Sequence, residues 1–417
     1  MNFILKFCLL LAVFSLVISC GTKENNDLTI QEIPFKSESS AILPHLVSSH
    51  GQLYISWVDT LSTKGSQLIY AKLDGNSWSW EIVLASGENW FVNWADYPMI
   101  AVNKEKILSH YLQNSSSSGM AYDIFYNQTI LQEAKESKHH LLNNDSTHTE
   151  HGFVSMLPNS DSTFLIAWLD GRNMQNHDHD SGHSHEHHSG EMSVRVAEVD
   201  SEGKLRNESV VDSMACTCCQ TTSSMTSNGP VLLYRDCSEN NIRDISIVRQ
   251  VNGSWTKPVS IHPDNWFIEG CPVNGPKSDA IGNSLAVAWF TGANNKAKIQ
   301  VLFSENSGES FSKPILISES EVLGRVDIVM IKEGEAVVSW MESKGNETYL
   351  FAAKVDEKLG TGKPYKVSKL SSSRKTGFPQ MEILNNKIYF AWMDVSEKGT
   401  LLKTSFLPVE LLSNNLE

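Results

Sequence analysis

The densest sulfur in this sequence is Cys216-Thr217-Cys218-Cys219, with Cys237 and Cys271 following it. Three chemistries fit such a group. Read as a strand, the segment puts Cys216 and Cys218 on one side and Cys219 on the other. Adjacent cysteines rarely bridge each other without strain, so disulfide partners for the group would be Cys237 or Cys271. These five leave one thiol over. As thiolates, Cys216, Cys218, Cys219 and Cys271 form a soft donor set suited to Cu(I) or Zn(II), at a spacing that matches no zinc finger. A redox-active thiol is the third reading.

A second cluster is the tract His177-Asp178-His179-Asp180-Ser181-Gly182-His183-Ser184-His185-Glu186-His187-His188, six imidazoles and three carboxylates in twelve residues. Its donors, His177, His179, His183, His185, His187 and His188, take up Zn(II), Ni(II) or Cu(II), and a solvated insertion is compatible with that. A third set is Arg172, Arg235, Arg325 and Arg374. A planar guanidinium grips a carboxylate at two points, so these are candidate ligand-binding groups. The alternative for each is a salt bridge to a neighbouring acid such as Asp170 or Asp236. Asp96 is a conceivable catalytic acid. Trp90, Trp94 and Trp266 can stack on sugar rings or pack between elements.

A repeat gathers these residues. An extended segment, a turn and an apolar strand ending in an aromatic recur seven times, first as Leu53-Tyr54-Ile55-Ser56-Trp57. Later repeats end at Tyr111, Trp168, Tyr234, Trp289, Trp340 and Trp392, with spacings of 54, 57, 66, 55, 51 and 52 residues. A period near fifty with several strands per unit predicts an all-β propeller of seven four-stranded blades. The last unit stops after its third strand, so Leu28–Phe35 is expected to supply the fourth and close the ring. In a propeller, the start of each inner strand and the end of each second strand open on one face. That rule brings Cys216, Cys218, Cys219, Cys237, Cys271, the four arginines and the histidine tract to one mouth of the central channel, a usual place for ligands.

Ser304-Glu305-Asn306-Ser307-Gly308-Glu309-Ser310-Phe311 resembles the Asp-box of sialidase and BNR-repeat propellers, with Asn306 in place of the aspartate. Fainter echoes are Asp74-Gly75-Asn76-Ser77-Trp78 and Asn252-Gly253-Ser254-Trp255. The box pins a hairpin and implies a fold, not an activity. Sialidases hold a substrate carboxylate with three arginines, use an Asp as acid, and use a Tyr activated by a Glu as nucleophile. The resemblance therefore implies a catalytic reading on Arg235, Arg325 and Arg374 with Asp96. Gly324-Arg325-Val326-Asp327 is nearest to the family's Arg-Ile-Pro motif and lacks the proline. No Tyr–Glu pair is legible at the mouth, and seven units depart from the six blades of typical sialidases.

The apolar run Phe7 to Ile18 behind Lys6 reads as a secretory leader. Val17-Ile18-Ser19-Cys20 resembles a bacterial lipobox, which implies lipidation at Cys20. The expected organisation is a leader at 1–19, a lipidated tether at 20–27, and one propeller domain at 28–417 carrying a His-rich loop at 173–190. Multiple acyl chains would hold it to a membrane, in the cell envelope, on the periplasmic side of the outer membrane or at the surface. The formal net charge of −14 argues against nucleic acid as a partner. The expected function is a lipid-anchored propeller binding an acidic glycan, a peptide or a metal ion, copper or zinc, at its mouth. An exo-α-sialidase-like glycoside hydrolase is the alternative.

Overall fold

The computed structural model describes residues 29–35, 40–61, 65–117, 121–133, 138–174, 191–319, 321–397 and 399–412. Cys20, the leader and the tract 177–188 lie outside the described residues. The chain forms seven antiparallel sheets arranged as a ring of blades. Their inner strands are Ala41–Ser49, Ile100–Asn103, His151–Pro158, Thr222–Thr226, Lys277–Ile281, Val322–Lys332 and Gln380–Leu384. Each inner strand touches the next, and the last touches the first, so the ring is closed. In blades one, four and six a two-residue piece, such as Ser77–Trp78, precedes the outer strand.

Second strands such as Phe164–Asp170 and Ser284–Thr291 carry an unbroken apolar run, Phe164 to Leu169 and Leu285 to Phe290. They are buried on both faces because a blade lies against each side, which replaces the alternation expected of a half-exposed strand. The tryptophans in their C-terminal halves have buried rings and an indole N–H that needs an acceptor. Trp168 Nε1 donates to Asp170 at 2.8 Å and Trp340 Nε1 to Glu342 at 2.8 Å. Trp289 Nε1 donates to Asp264 at 2.7 Å.

Blade seven closes as expected. Gln31–Ile33 runs antiparallel to Gly399–Pro408, pairing Gln31 with Phe406 and Ile33 with Thr404, and so covers an edge strand. The Asp-box turn also behaves as its residues require. Ser304 Oγ donates to Asn306 Oδ1 at 2.9 Å and accepts from the Gly308 amide at 2.9 Å. Gly308 takes φ 79°, which a side chain would strain.

The channel wall is polar, and its two arcs are stitched differently. Asp279 accepts the Met330 amide at 2.7 Å, Asp327 the Met381 amide at 2.8 Å, and Glu382 the Ser48 amide at 3.1 Å. Each carboxyl thus ties its inner strand to that of the next blade, from blade five round to blade one. Hydroxyls do this between blades three and five, where Ser155 meets Ser223 at 2.7 Å and Ser224 meets Ser278 at 2.7 Å.

Candidate functional site at the channel mouth

The loop leading into blade two, Asn93 to Met99, crosses the mouth and is held from several sides. Ala95 O accepts from Gln220 Nε2 of blade four at 2.7 Å. Tyr97 Oη receives Lys277 Nζ of blade five at 3.4 Å and Gln380 Nε2 of blade seven at 3.3 Å. Asp96 accepts the Phe153 amide of blade three at 2.8 Å. This loop caps the channel. The cavity left beneath it, beside Asp96 and Lys277, measures 10 Å³, room for about one water. A ligand of sugar size does not fit in that cavity.

Asp96 is buried, and burial first, then Glu150, pushes its pKa up to about 8; the Phe153 amide pulls the other way. A β-carbon at Gly152 would meet its carboxylate at 1.9 Å, so this approach requires glycine. Tyr122, which neighbours both Asp96 and Glu150, is the tyrosine–acid grouping that sequence reading missed. The three come from blades two and three, so no local motif links them. Burial and both acids raise the Tyr122 pKa, which keeps the phenol protonated.

The arginines divide. Arg172 is gripped by Asp170, with Nε–Oδ1 at 2.7 Å and Nη2–Oδ2 at 2.7 Å. Around them Asp145 lies 3.0 Å from His151 Nε2, and Arg195 salt-bridges Glu208 at 2.7 Å. Cations already fill that acidic group. Arg235 is 1% exposed and donates to the carbonyls of Asn274, Arg243 and Phe290. Its guanidinium lies 4.9 Å from the Trp266 ring. Trp90 is also a packing residue, stacked on Tyr111 at 4.3 Å.

Arg325 and Arg374 come together. Arg325 lies 5.1 Å and Arg374 5.8 Å from the ring of Trp94, which stacks on Phe378 at 5.7 Å. Arg325 donates to the carbonyls of Ser373 and Gly377 at 3.2 and 2.9 Å. Burial, with the Arg374 charge adding to it, lowers the Arg325 pKa to about 10. Arg374 is exposed and Trp94 half-buried. Among the described residues, no ion pair joins either guanidinium to a carboxylate.

The cysteines meet on the same face between blades four and five. Cys218 and Cys271 are bridged, with Cα atoms 6.0 Å apart, whereas Cys216, Cys219 and Cys237 are free. Residues 216–219 form a turn rather than a strand, which brings Cys216 and Cys219 to face each other at 3.3 Å between sulfurs. The Cys216 sulfur also lies 3.9 Å from that of Cys218 and 3.2 Å from Arg243 Nη1. The Cys219 thiol and the Arg243 charge lower the Cys216 pKa against its burial, and burial raises that of Cys219. Arg243 carried no signal in the sequence, because only the fold sets it over Cys216.

No family model matches this sequence, and no curated protein matches it. Solved structures do. An ulvan lyase bound to –[GlcA(1-4)Rha3S]– aligns with a TM-score of 0.52 and 9% identity over 92% of this chain and 95% of its own. The α-L-arabinanase of Penicillium chrysogenum gives 0.49 and 11% over 93% and 99%. The α-L-arabinofuranosidase of Fusarium graminearum gives 0.49 and 10% over 92% and 98%. The likeness to the lyase, at this identity, establishes the propeller fold. This chain is a seven-bladed β-propeller, and the solved propellers similar to it include carbohydrate-active enzymes.

Proposed function

We propose that this chain is a binding propeller of the cell envelope, anchored through Cys20, which holds an acidic glycan on the Trp94 platform. One observation carries the reading: two guanidiniums, Arg325 and Arg374, lie against one half-buried indole without a carboxylate partner among the described residues. Like charges brought together on a low-dielectric surface favour an anion between them. The indole adds a flat face for a sugar ring. An acidic glycan supplies both halves of that complement. Glycan-active propellers among the structural neighbours agree with this class of ligand.

Hydrolysis of sialosides is the less supported reading. It requires a third guanidinium at the carboxylate, and Arg235 is committed to three carbonyls. It also requires a reachable nucleophile, and Tyr122 is 4% exposed. Calorimetric titration of the mature chain with uronate- and sialate-terminated oligosaccharides tests the proposal. Binding that falls about tenfold in Trp94→Ala and in Arg374→Ala is expected, roughly 1.4 kcal/mol each. Binding only of neutral sugars, or release of free sialic acid from a sialoside, overturns it.

A further inference from the structure

We propose that the sulfur cluster between blades four and five is a site for one thiophilic d10 ion, Cu(I) or Zn(II), and that the Cys218–Cys271 bridge controls access to it. The sulfurs of Cys216, Cys218 and Cys219 all lie within 4.8 Å of one another, and Cys271 is bonded to one of them. Four thiolates at about 2.3 Å from a central ion stand about 3.8 Å apart. The observed separations of 3.3 and 3.9 Å straddle that value. The donor set is wholly sulfur, the soft set that selects Cu(I) and Zn(II) over oxygen-seeking ions.

The surroundings fit bound thiolates. Arg243 at 3.2 Å from the Cys216 sulfur, with Arg235 nearby, offsets negative charge. Backbone amides of Cys218 and Asn274 are directed at the sulfurs of Cys216 and Cys219 respectively. Such outer contacts orient ligands and tune the ion.

Burial is graded across the cluster. Cys216 and Cys219 are 0% and 1% exposed, Cys218 is half-buried and Cys271 exposed. The bridge therefore lies over the inner thiol pair, on the solvent side. A dithiol reductant would exchange with it, passing two electrons and two protons to give Cys218 and Cys271 thiols while becoming a cyclic disulfide itself. An arriving ion then displaces one proton from each thiol that ligates it. The site is open when reduced and closed when oxidised. This stands apart from the glycan reading, since none of these residues touches Trp94 or Arg374.

The test uses the full mature chain, reduced with a dithiol and freed of it, then given Cu(I) or Zn(II) in separate titrations. Sulfur-to-metal charge-transfer absorption reads Cu(I) directly, and Co(II) displaced by Zn(II) reads the second ion. Imidazoles of the 177–188 tract are silent in that signal. One ion per chain is expected, with at least tenfold weaker uptake in the oxidised chain. Cys216→Ser and Cys219→Ser should each abolish the signal, and Cys237→Ser should keep it. Counting thiols in the wild-type chain keeps the test independent of whether the variants fold. All five non-lipidated cysteines should react after reduction, and only Cys237 once the ion is bound. No charge-transfer signal with either ion, a signal surviving the Cys216/Cys219 double variant, or no protection of thiols would overturn the proposal.

Discussion

Trp266 lies 4.9 Å from the Arg235 guanidinium, and Trp94 lies 5.1 and 5.8 Å from those of Arg325 and Arg374. Both tryptophans sit in loops that lead into a blade, while Arg235 and Arg325 belong to strands. The first is closed: Trp266 is 7% exposed, a β-carbon at Gly292 would meet its ring at 2.8 Å, and Arg235 serves three carbonyls. The second is open on one side: Trp94 is half-buried and Arg374 exposed, while Arg325 is 6% exposed and gives one nitrogen to two carbonyls. The closed pair satisfies itself and acts as a brace between blades four and five. The open pair carries surplus charge and surface, which is what a ligand complements. An arginine near a tryptophan signals a site only where the guanidinium has donors to spare.

Arg235→Ala is the largest break in that comparison. It leaves the carbonyls of Asn274, Arg243 and Phe290 without their donor in a dry interior. A loss of about 3–4 kcal/mol is expected, read as a lower urea midpoint at unchanged m-value. Arg235→Lys should recover little of it, because an ammonium cannot span three acceptors as the planar fork does. If Arg235→Ala stays within about 0.5 kcal/mol of wild type, the range of a neutral surface change, the closed pair is not a brace.

The channel carboxyls give the next largest effect, and one that depends on pH. Burial, then the neighbouring Asp279, pushes Glu382 up to about 8, and burial pushes Asp279 up to about 6. A carboxyl raised in the folded state takes up a proton on folding. Its contribution is whole below the unfolded pKa of about 4.3 and is lost as pH climbs to the folded value. Stability should therefore fall between pH 5 and pH 8. Glu382→Gln should flatten that slope, at a cost of about 1–3 kcal/mol at pH 5 from disturbed bonding to the Ser48 and Ile383 amides. An identical slope in wild type and variant would show that Glu382 does not carry the effect.

Ser304→Ala tests the Asp-box at smaller scale. Its hydroxyl holds the Gly308 amide and Asn306 together across one hairpin, so about 1 kcal/mol should be lost, visible as a small drop in Tm with ligand binding intact. That box, the seven aromatic strand ends and the closing strand Gln31–Ile33 were all legible in sequence, because each depends on neighbours within one blade or on the repeat itself. The mouth was legible only as a roster. Arg172 keeps its partner Asp170 within its own blade, whereas Arg235 and Arg325 reach carbonyls of the next blade or of the loop into it. The bond that helps cap the channel joins Gln220 to Ala95, residues 125 apart. Tyr122 was missed for the same reason, and Arg243 because its contact with Cys216 spans 27 residues. Residues 216–219 were read as a strand, and the turn at residues 217–218 brings Cys216 to Cys219 instead.

Arg374→Ala should have the smallest effect on folding and the clearest on binding. Its exposed side chain joins no ion pair among the described residues, so stability should stay within about 0.5 kcal/mol of wild type. The charge it removes is the one free to meet a carboxylate, so uronate affinity should fall about tenfold, roughly 1.4 kcal/mol. Raised salt should weaken wild-type binding more than that of the variant, since an exposed guanidinium–carboxylate contact is screened. Arg374→Lys separates charge from geometry: it keeps the salt dependence and loses the two-point grip. Unchanged affinity in Arg374→Ala would move the site away from the open pair. Loss of affinity in Arg235→Ala at temperatures where that variant remains folded would blur the line between brace and platform.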